Sequence, residues 1–167
     1  GENFDRYIFT EDDNEFSPNF LEYINKGLEL FEEDSRVIGI CAAKDAPWVQ
    51  GAGNALFAKL FPAYGYGTWV EKERAMLEDC HRVLLPNRIW GPKTMLWLMR
   101  KNLCLFSLYV CQILCKDDGL FWNKDGTLYL CDSIRSLYMH LTNHVCIVPA
   151  VAKSRTWGND GSGVNMP

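Results

Sequence analysis

Apolar positions in the first part of the chain follow three spacings in turn. Residues 7–10, Tyr-Ile-Phe-Thr, form a short β-prone run. Apolar residues then recur every three or four positions from 20 to 31, as on one face of a helix. The preceding Ser17-Pro18 suits an N-cap and a first helical position. Residues 36–41 are mostly apolar and predict a central strand. Strand, helix and strand in this order predict a βαβ unit, and so a parallel sheet covered by helices.

The remainder of the chain is punctuated by turn signals. In order, it predicts an irregular segment over 43–68, a helix over 70–80, a long helix over 93–116, a hairpin turning at 124–126, a helix over 133–142 and a strand over 145–148. The apolar part of the long helix, 103–115, is too short to cross a bilayer. It predicts a buried or half-buried helix, with docking to a membrane or a partner as the alternative. The tail from residue 154 is predicted to be mobile, with ordering of Gly158–Gly163 as a lid as the alternative.

The composition indicates a folded domain and argues against some classes of function. A chain of 167 residues, 48% hydrophobic, is large enough for one folded domain with a core. The formal charge of −4 argues against a dedicated nucleic-acid binder, which normally has a basic face. Seven cysteines, an odd number with mostly apolar neighbours, indicate reduced thiols and a cytoplasmic location. The chain starts without Met, and we expect it to be a piece of a longer protein.

Three consecutive acids, Glu11, Asp12 and Asp13, follow the first apolar run directly. The dipole of the next helix favours one acid nearby, such as Asp13 or Glu15. It does not account for three together, which repel one another. In open α/β sheets, ligands bind beyond the carboxyl ends of strands, and clustered carboxylates suit Mg²⁺ or Mn²⁺. The residues alone leave two interpretations open, a metal site and helix capping with solvated charge.

The stretch "EDDNEFSPNFLEYINKGLELF" resembles the metal-binding acidic motif of GT-A-fold glycosyltransferases. It is most similar to the Glu-Asp-Asp type of the N-acetylglucosaminyltransferases and to bacterial enzymes related to family 2 glycosyltransferases. "YGYGTW" (64–69) resembles their glycine-and-tryptophan segment near the sugars. Residues 131–163 resemble their closing section, with an acid at a helix start, an apolar strand ending in Pro and a Ser-Arg-Thr and Gly-rich loop. The three motifs occur in the family's order.

The resemblance implies an α/β, GT-A-like (Rossmann-like) mixed sheet flanked by helices. It also implies Mn²⁺ or Mg²⁺ as cofactor, with a nucleotide-sugar donor and a carbohydrate acceptor as partners. The family's nucleotide-binding half precedes the acidic motif, so we expect residues 1–167 to be the C-terminal, metal- and acceptor-binding half of such a domain. The implied site residues are Asp13 for the metal, Asp132 as catalytic base, and Glu11, Asp12, Tyr66, Gly67, Trp69, Lys153 and Arg155 for the donor or acceptor.

The function expected from the resemblance is a metal-dependent, inverting glycosyltransferase. It would move a sugar from a nucleoside diphosphate to a glycan or surface polysaccharide. If Gly158–Gly163 order as a lid, that lid would cover the diphosphate. Two alternatives stay open, namely a non-catalytic interaction domain or incomplete fragment docking through the 93–115 helix, and a nucleotidyltransferase. Structural interpretations also stay open for single residues. Asp132 would be a helix N-terminal charge, Tyr66 and Trp69 would anchor their loop, and His140 and His144 would share a helix face without binding a metal.

Overall fold

The computed structural model describes residues 4–44, 54–83 and 132–156, and a few helical positions between 96 and 107. The predicted hairpin, most of the predicted helix over 93–116 and the glycine-rich stretch beyond residue 156 lie outside the described residues. In chain order the elements are β1 (Arg6–Phe9), β2 (Asn14–Phe16), α1 (Phe20–Leu30), β3 (Val37–Cys41), β4 (Ala55–Ala58), β5 (Tyr66–Trp69), α2 (Val70–Val83), α3 (Asp132–Thr142), β6 (Val145–Pro149) and β7 (Ser154–Thr156).

Five strands form one mixed sheet in the order β1-β5-β3-β6-β4. β5 is antiparallel to both β1 and β3, β3 is parallel to β6, and β4 is antiparallel to β6. The predicted mixed α/β sheet with flanking helices is confirmed. β1 and β3 run in the same direction, as the βαβ unit predicts, but they are not neighbours, because β5 lies between them and is antiparallel to both. The parallel sheet inferred from that unit is therefore wrong. β1 is consequently an edge strand, and Phe9 at its end is 42% exposed.

α1 buries its apolar stripe as the spacing predicts, with Phe20, Ile24 and Leu28 all inaccessible. The helix begins at Phe20, two residues later than the Ser-Pro signal predicts, and Asn19 occupies the N-cap position. The Ser17 hydroxyl donates a hydrogen bond to the Asn19 side chain at 2.9 Å. Ser17 therefore orders the turn before the helix, and its side chain is not the cap.

The core consists of two clusters, because side chains alternate between the two faces of the sheet. α1 packs on one face, and α2 and α3 pack on the other. The α1 cluster comprises Phe20, Ile24, Leu28, Val37, Ile40, Ala42, Trp69 and Ile147. The cluster of α2 and α3 comprises Ile38, Cys41, Ala58, Phe61, Tyr66, Met76, Cys80, Ile134, Leu137, Tyr138, Met139, Cys146 and Val148.

The later helices and β6 agree with the sequence. The irregular segment predicted over 43–68 is wrong, because it contains β4 and most of β5, which form strands by pairing with distant segments. α2, α3 and β6 begin within a residue of their predicted starts. Residues 154–156 were expected to be mobile, and instead they form β7, which pairs with β2. Cys41, Cys80 and Cys146 are buried free thiols, as predicted, and burial raises the pKa of Cys80 to about 12. In the described segments, no helix has the length and apolar character that crossing a membrane requires.

Candidate functional site

β1, β3 and β6 run in the same direction, so all three finish at one end of the sheet, which we name the carboxyl end. The acids 11–13 follow β1 at this end and form a turn, in which the backbone N–H of Asn14 donates to the carbonyl of Glu11 at 3.4 Å. This is the location that the strand-end rule predicts for them. The placement gives the acids access to any ligand bound beyond the sheet.

β2 and β7 form a two-stranded ribbon that joins the chain after β1 to the chain after β6. Its register pairs Asn14 with Thr156 and Glu15 with Arg155. The second pair lies on the exposed face of the ribbon, and the Arg155 guanidinium donates a hydrogen bond to the Glu15 carboxylate. Glu15 therefore has a structural partner, and Arg155 is engaged in an ion pair at a position predicted to contact phosphate.

The other face of the ribbon is turned toward the protein. Phe16 stacks on Phe20 with ring centroids 4.2 Å apart, and the Ser154 hydroxyl donates to the carbonyl of Tyr64. Gly65 has a φ of +83°, and a Cβ there would lie 2.7 Å from the Phe16 ring. Glycine is required at this position both for its backbone conformation and for the close approach of the ribbon.

Asp13 lies where the ribbon meets the acidic turn. Its Oδ2 accepts a hydrogen bond from the Thr156 hydroxyl at 2.8 Å. Its Oδ1 is buried without a hydrogen-bond partner, and so are both polar atoms of the neighbouring Asn14 amide. A buried polar group left unpaired costs about 1–3 kcal/mol. Of the seven such atoms in the described segments, three lie on these two successive residues and the other four are spread over Tyr23, Trp69, Glu73 and Arg135. The concentration at Asp13 and Asn14 makes this a candidate place for a polar ligand or water.

Asp132 is the first residue of α3, and its side chain is half-buried. One carboxylate oxygen accepts a hydrogen bond from the backbone N–H of Ala63 at 3.3 Å. Ala63 belongs to the loop that leads into β5, so this contact holds Asp132 at the carboxyl end. Its position at a helix start also suits a negative charge, as the structural interpretation holds.

Glu11 links the acidic turn to Asp132 electrostatically. Partial desolvation raises the pKa of the Glu11 carboxyl, and the charges of Asp13, Asp132 and Asp12 raise it further. Two neighbouring acids and one from a distant part of the sequence therefore lie close enough to Glu11 to raise its pKa. This mutual repulsion is what a bound cation would relieve.

The structure places Tyr66, Gly67 and Trp69 within the core. Tyr66 and Trp69 are 5% and 4% exposed, which agrees with the interpretation that they anchor their loop. A Cβ on Gly67 would lie 2.4 Å from Ile24, so this glycine allows α1 to pack against β5. Contacts of these residues with a sugar stay a prediction, which would require the rings to become accessible.

A buried ion pair connects α2 to α3 beneath the site. Arg135, 3% exposed, donates hydrogen bonds to the carboxylate of Glu73 and, at 3.1 Å, to the hydroxyl of Tyr66. The guanidinium also lies 5.0 Å from the centre of the Phe61 ring. Arg135 is three residues after Asp132 on the same helix, so the pair fixes the start of α3.

Lys153 is placed by its backbone, which donates to the carbonyl of Ala42 at 2.7 Å and accepts from the N–H of Ser17 at 2.9 Å. Its side chain lines a groove of about 410 Å³ beside α1, together with Glu22 and Lys26. The structure thus places Asp12, Asp13 and Asp132 near enough to Glu11 to raise its pKa, while Lys153 lines a groove at α1. Phosphate contact by Lys153 stays a prediction.

His140 and His144 do not share a helix face, contrary to expectation. α3 ends at Thr142, and Asn143 has a φ of 61°, the left-handed conformation that terminates many helices. His144 therefore lies beyond the helix, where its ring stacks on Tyr138 with centroids 5.1 Å apart. Burial lowers the pKa of both histidines. Their packing is that of structural side chains.

The residues present fit a divalent cation that takes few ligands from the protein. Among the described side chains, no group of three or more His, Cys, Asp or Glu converges as a metal site. Oδ1 of Asp13 supplies one buried carboxylate oxygen with no competing partner. Mg²⁺ and similar hard cations commonly bind one or two carboxylates and complete their shell with water and substrate phosphates. The site therefore fits a cation that receives most of its remaining ligands from water and a bound phosphate group.

Comparison with known proteins gives no independent assignment. No family model matches the chain, and no curated protein matches it.

Sequence reasoning missed three residues of this region, Asn14, Thr156 and Arg135. Thr156 and Asn14 matter because β2 pairs with β7, a contact between segments some 140 positions apart in the chain that no local pattern encodes. Arg135 had a usable signal, since an arginine among the apolar residues of a buried helix requires an acidic partner.

Proposed function

We propose that this chain carries the metal- and acceptor-binding part of a metal-dependent, inverting glycosyltransferase. Its reaction would move a sugar from a nucleoside-diphosphate sugar to a hydroxyl of a glycan or surface polysaccharide. The proposal rests on the ordered resemblance of the sequence to GT-A enzymes, and on the finding that the acids of that resemblance lie at one end of one sheet.

The strongest support for the proposal is the unequal hydrogen bonding of the two carboxylate oxygens of Asp13. Its Oδ2 is held by Thr156 while its Oδ1 is buried and unpartnered. An unpaired buried oxygen costs stability. Glu73 also has one, but Arg135 neutralises its charge, whereas among the described residues no ion pair neutralises Asp13. Oδ1 of Asp13 is buried, has no hydrogen-bond partner and lies near other acids, which suits it to bind a cation.

Asp13 is the residue that would hold Mn²⁺ or Mg²⁺. Such an ion supplies Lewis-acid stabilisation of the charge that develops on a departing diphosphate. Glu11 and Asp12, which flank Asp13 on the acidic turn, would contact the sugar or ribose of the donor. Lys153 and Arg155 remain candidates for phosphate contact, and Arg155 would have to exchange Glu15 for the phosphate.

Asp132 would take the proton of the acceptor hydroxyl as that oxygen attacks the anomeric carbon. A single displacement of this kind, with the base on the face opposite the leaving group, inverts the anomeric configuration. General-base help typically contributes about 10²–10⁴ in rate. The hydrogen bond from Ala63 holds one oxygen of Asp132, and the proton would go to the Asp132 carboxylate.

Isothermal titration of the full-length protein with UDP, with and without Mn²⁺, tests the proposal. Nucleotide binding should require the metal, and Asp13→Ala should weaken it by more than about 100-fold, since loss of an outer-sphere partner alone costs about 10–100-fold. Asp5→Ala, at the other end of β1, is the matched control and should leave binding unchanged. Binding that is absent, or that ignores both the metal and Asp13→Ala, contradicts the proposal.

A further inference from the structure

A single hydrogen bond ties the candidate metal ligand to the far end of the described chain. The hydroxyl of Thr156 donates to Oδ2 of Asp13 at 2.8 Å across 143 positions of sequence. Asp13 belongs to the turn between β1 and β2, and Thr156 is the last residue of β7. The bond therefore closes the ribbon over the acidic turn.

The ribbon holds the Thr156 backbone in place by contacts that do not involve Asp13. Ladder pairing sets Thr156 opposite Asn14. Further along the same face, Ser154 is bonded to the carbonyl of Tyr64 and Phe16 is stacked on Phe20. Threonine is also stiff about χ1, because its Cβ is branched. The hydroxyl is thus presented to Asp13 from a rigid support.

The consequence for Asp13 is an unequal division of its two oxygens. Oδ2 is engaged by the Thr156 hydroxyl, and Oδ1 is buried without a partner. A carboxylate without such a tether can rotate about χ2, a torsion with a broad energy minimum. With the tether, one oxygen is kept for the ligand and its direction is set before the ligand arrives.

We propose that Thr156 is a positioning residue that orients the carboxylate of Asp13 for a divalent cation. This inference rests on the proposed function, because it assigns a role toward the metal of that site. Outer-sphere partners of metal ligands typically affect metal affinity by about 10–100-fold when they are removed. Thr156 should behave as such a partner although it does not touch the metal.

The test compares the Mn²⁺ affinities of five proteins, namely the wild type, three threonine variants and Asp13→Ala, in the presence of excess UDP by isothermal titration. Thr156→Val keeps the shape of the side chain and removes the hydroxyl, and it should weaken Mn²⁺ binding about 10–100-fold. Thr156→Ser restores the hydroxyl and should recover most of the affinity. Thr142→Val is the matched control. Its hydroxyl donates to the carbonyl of Tyr138, at the opposite end of α3, about 15 Å from Asp132.

Circular dichroism at the titration temperature establishes that each variant is folded, so that a loss of affinity reports on the site. If Thr156→Val binds Mn²⁺ as tightly as the wild type while Asp13→Ala does not bind it, the positioning role is overturned and the proposed function stands. A wild-type protein that binds no Mn²⁺ overturns both. Equal losses in the Val and Ser variants also contradict the role, because they would trace the effect to packing instead of the hydroxyl.

Discussion

The two ends of the central sheet treat their charged side chains in opposite ways. At the end where β3 begins, Asp34 forms an ion pair with Arg36 at 2.7 Å. Nearby, the ammonium of Lys72 donates to the carbonyls of Phe31, Asp34 and Val37 at 2.9, 2.9 and 3.2 Å. Phe31 is the C-cap of α1, where a helix leaves acceptors unpaired, Asp34 lies in the turn that follows, and Val37 begins β3. The charges at this end complete the structure.

At the carboxyl end, negative charges are concentrated and several buried polar atoms lack partners. Glu11, Asp12 and Asp13 are consecutive, and Asp132 adds a fourth negative charge that influences Glu11. Oδ1 of Asp13 and the amide of Asn14 are buried without partners. Single unpaired buried polar atoms also occur on Tyr23, Trp69, Glu73 and Arg135, but among the described residues the carboxyl end combines three of them on two successive residues with several negative charges. We take that combination as the physical signature of a ligand site.

The largest effect should follow from neutralising the proposed base. Asp132→Asn keeps the size of the side chain and an oxygen for the Ala63 N–H, and it cannot take a proton. Turnover, measured as nucleoside diphosphate released from a panel of nucleotide sugars, should fall by about 10²–10⁴. The Mn²⁺-dependent affinity for UDP should not change.

Asp79→Asn provides the matched control for that experiment, since Asp79 lies on α2 and accepts a bond from the Tyr138 hydroxyl. It should leave turnover unchanged. Full activity in Asp132→Asn would return Asp132 to the structural role of a charge at a helix start. A drop in UDP affinity parallel to the loss of turnover would place Asp132 in donor binding instead.

The elements predicted correctly from sequence are those with a strong local pattern. The stripe of α1 and the apolar run of β3 each specify their environment within about ten residues, so both are found where expected. The strand order is not local. β5 enters between β1 and β3 through pairing over tens of residues, and a run as short as Tyr-Gly-Thr-Trp does not indicate its neighbours.

The candidate site divides in the same way. The position of Asp13 follows from a general rule about strand ends, and that of Asp132 from a resemblance of motifs. Thr156 could not be predicted, because the polar triplet of β7 is a strand only through its pairing with β2. The end of α3 before His144 likewise depends on the left-handed conformation of Asn143. Asparagine tolerates this conformation, but its presence in the sequence does not predict it.

An intermediate effect is expected at the satisfied end of the sheet. Lys72→Met retains an aliphatic chain over the Trp69 ring, where the ammonium lies 3.8 Å from the centroid, and removes the donor shared by three carbonyls. Hydrogen bonds to a charged group are worth about 1.5–3 kcal/mol, and the free energy of unfolding in urea should fall by about that amount. UDP and Mn²⁺ affinity should be unaffected.

Lys26→Met is the control for Lys72, since its ammonium makes an exposed ion pair with Glu22 on α1. It should change the unfolding free energy much less. Equal losses in the two variants would show that the three carbonyl contacts of Lys72 add nothing beyond a surface charge. A loss of metal affinity in Lys72→Met would show that the two ends of the sheet are not independent.

The smallest effect is a pH dependence of opposite sign at the two ends. Arg36 lowers the pKa of Asp34 to about 2, so the charged form stabilises the native state above the ordinary Asp pKa and this contribution is lost as the pH falls toward 2. Desolvation and neighbouring acids raise the pKa of Glu11. Its ionisation therefore destabilises the native state as the pH rises above the ordinary Glu pKa.

Melting temperatures of Glu11→Gln and Asp34→Asn across acidic and neutral pH test this contrast. Near pH 7 the Gln variant should melt above the wild type and the Asn variant below it, because one removes a repelled charge and the other a paired one. Both differences should vanish in strong acid, where the native carboxyls are protonated. Added Mn²⁺ should also reduce the advantage of Glu11→Gln, since a cation offsets the same repulsion. Shifts of the same sign at neutral pH would mean that the acids of the carboxyl end are stabilised by partners, and the contrast between the two ends would fail.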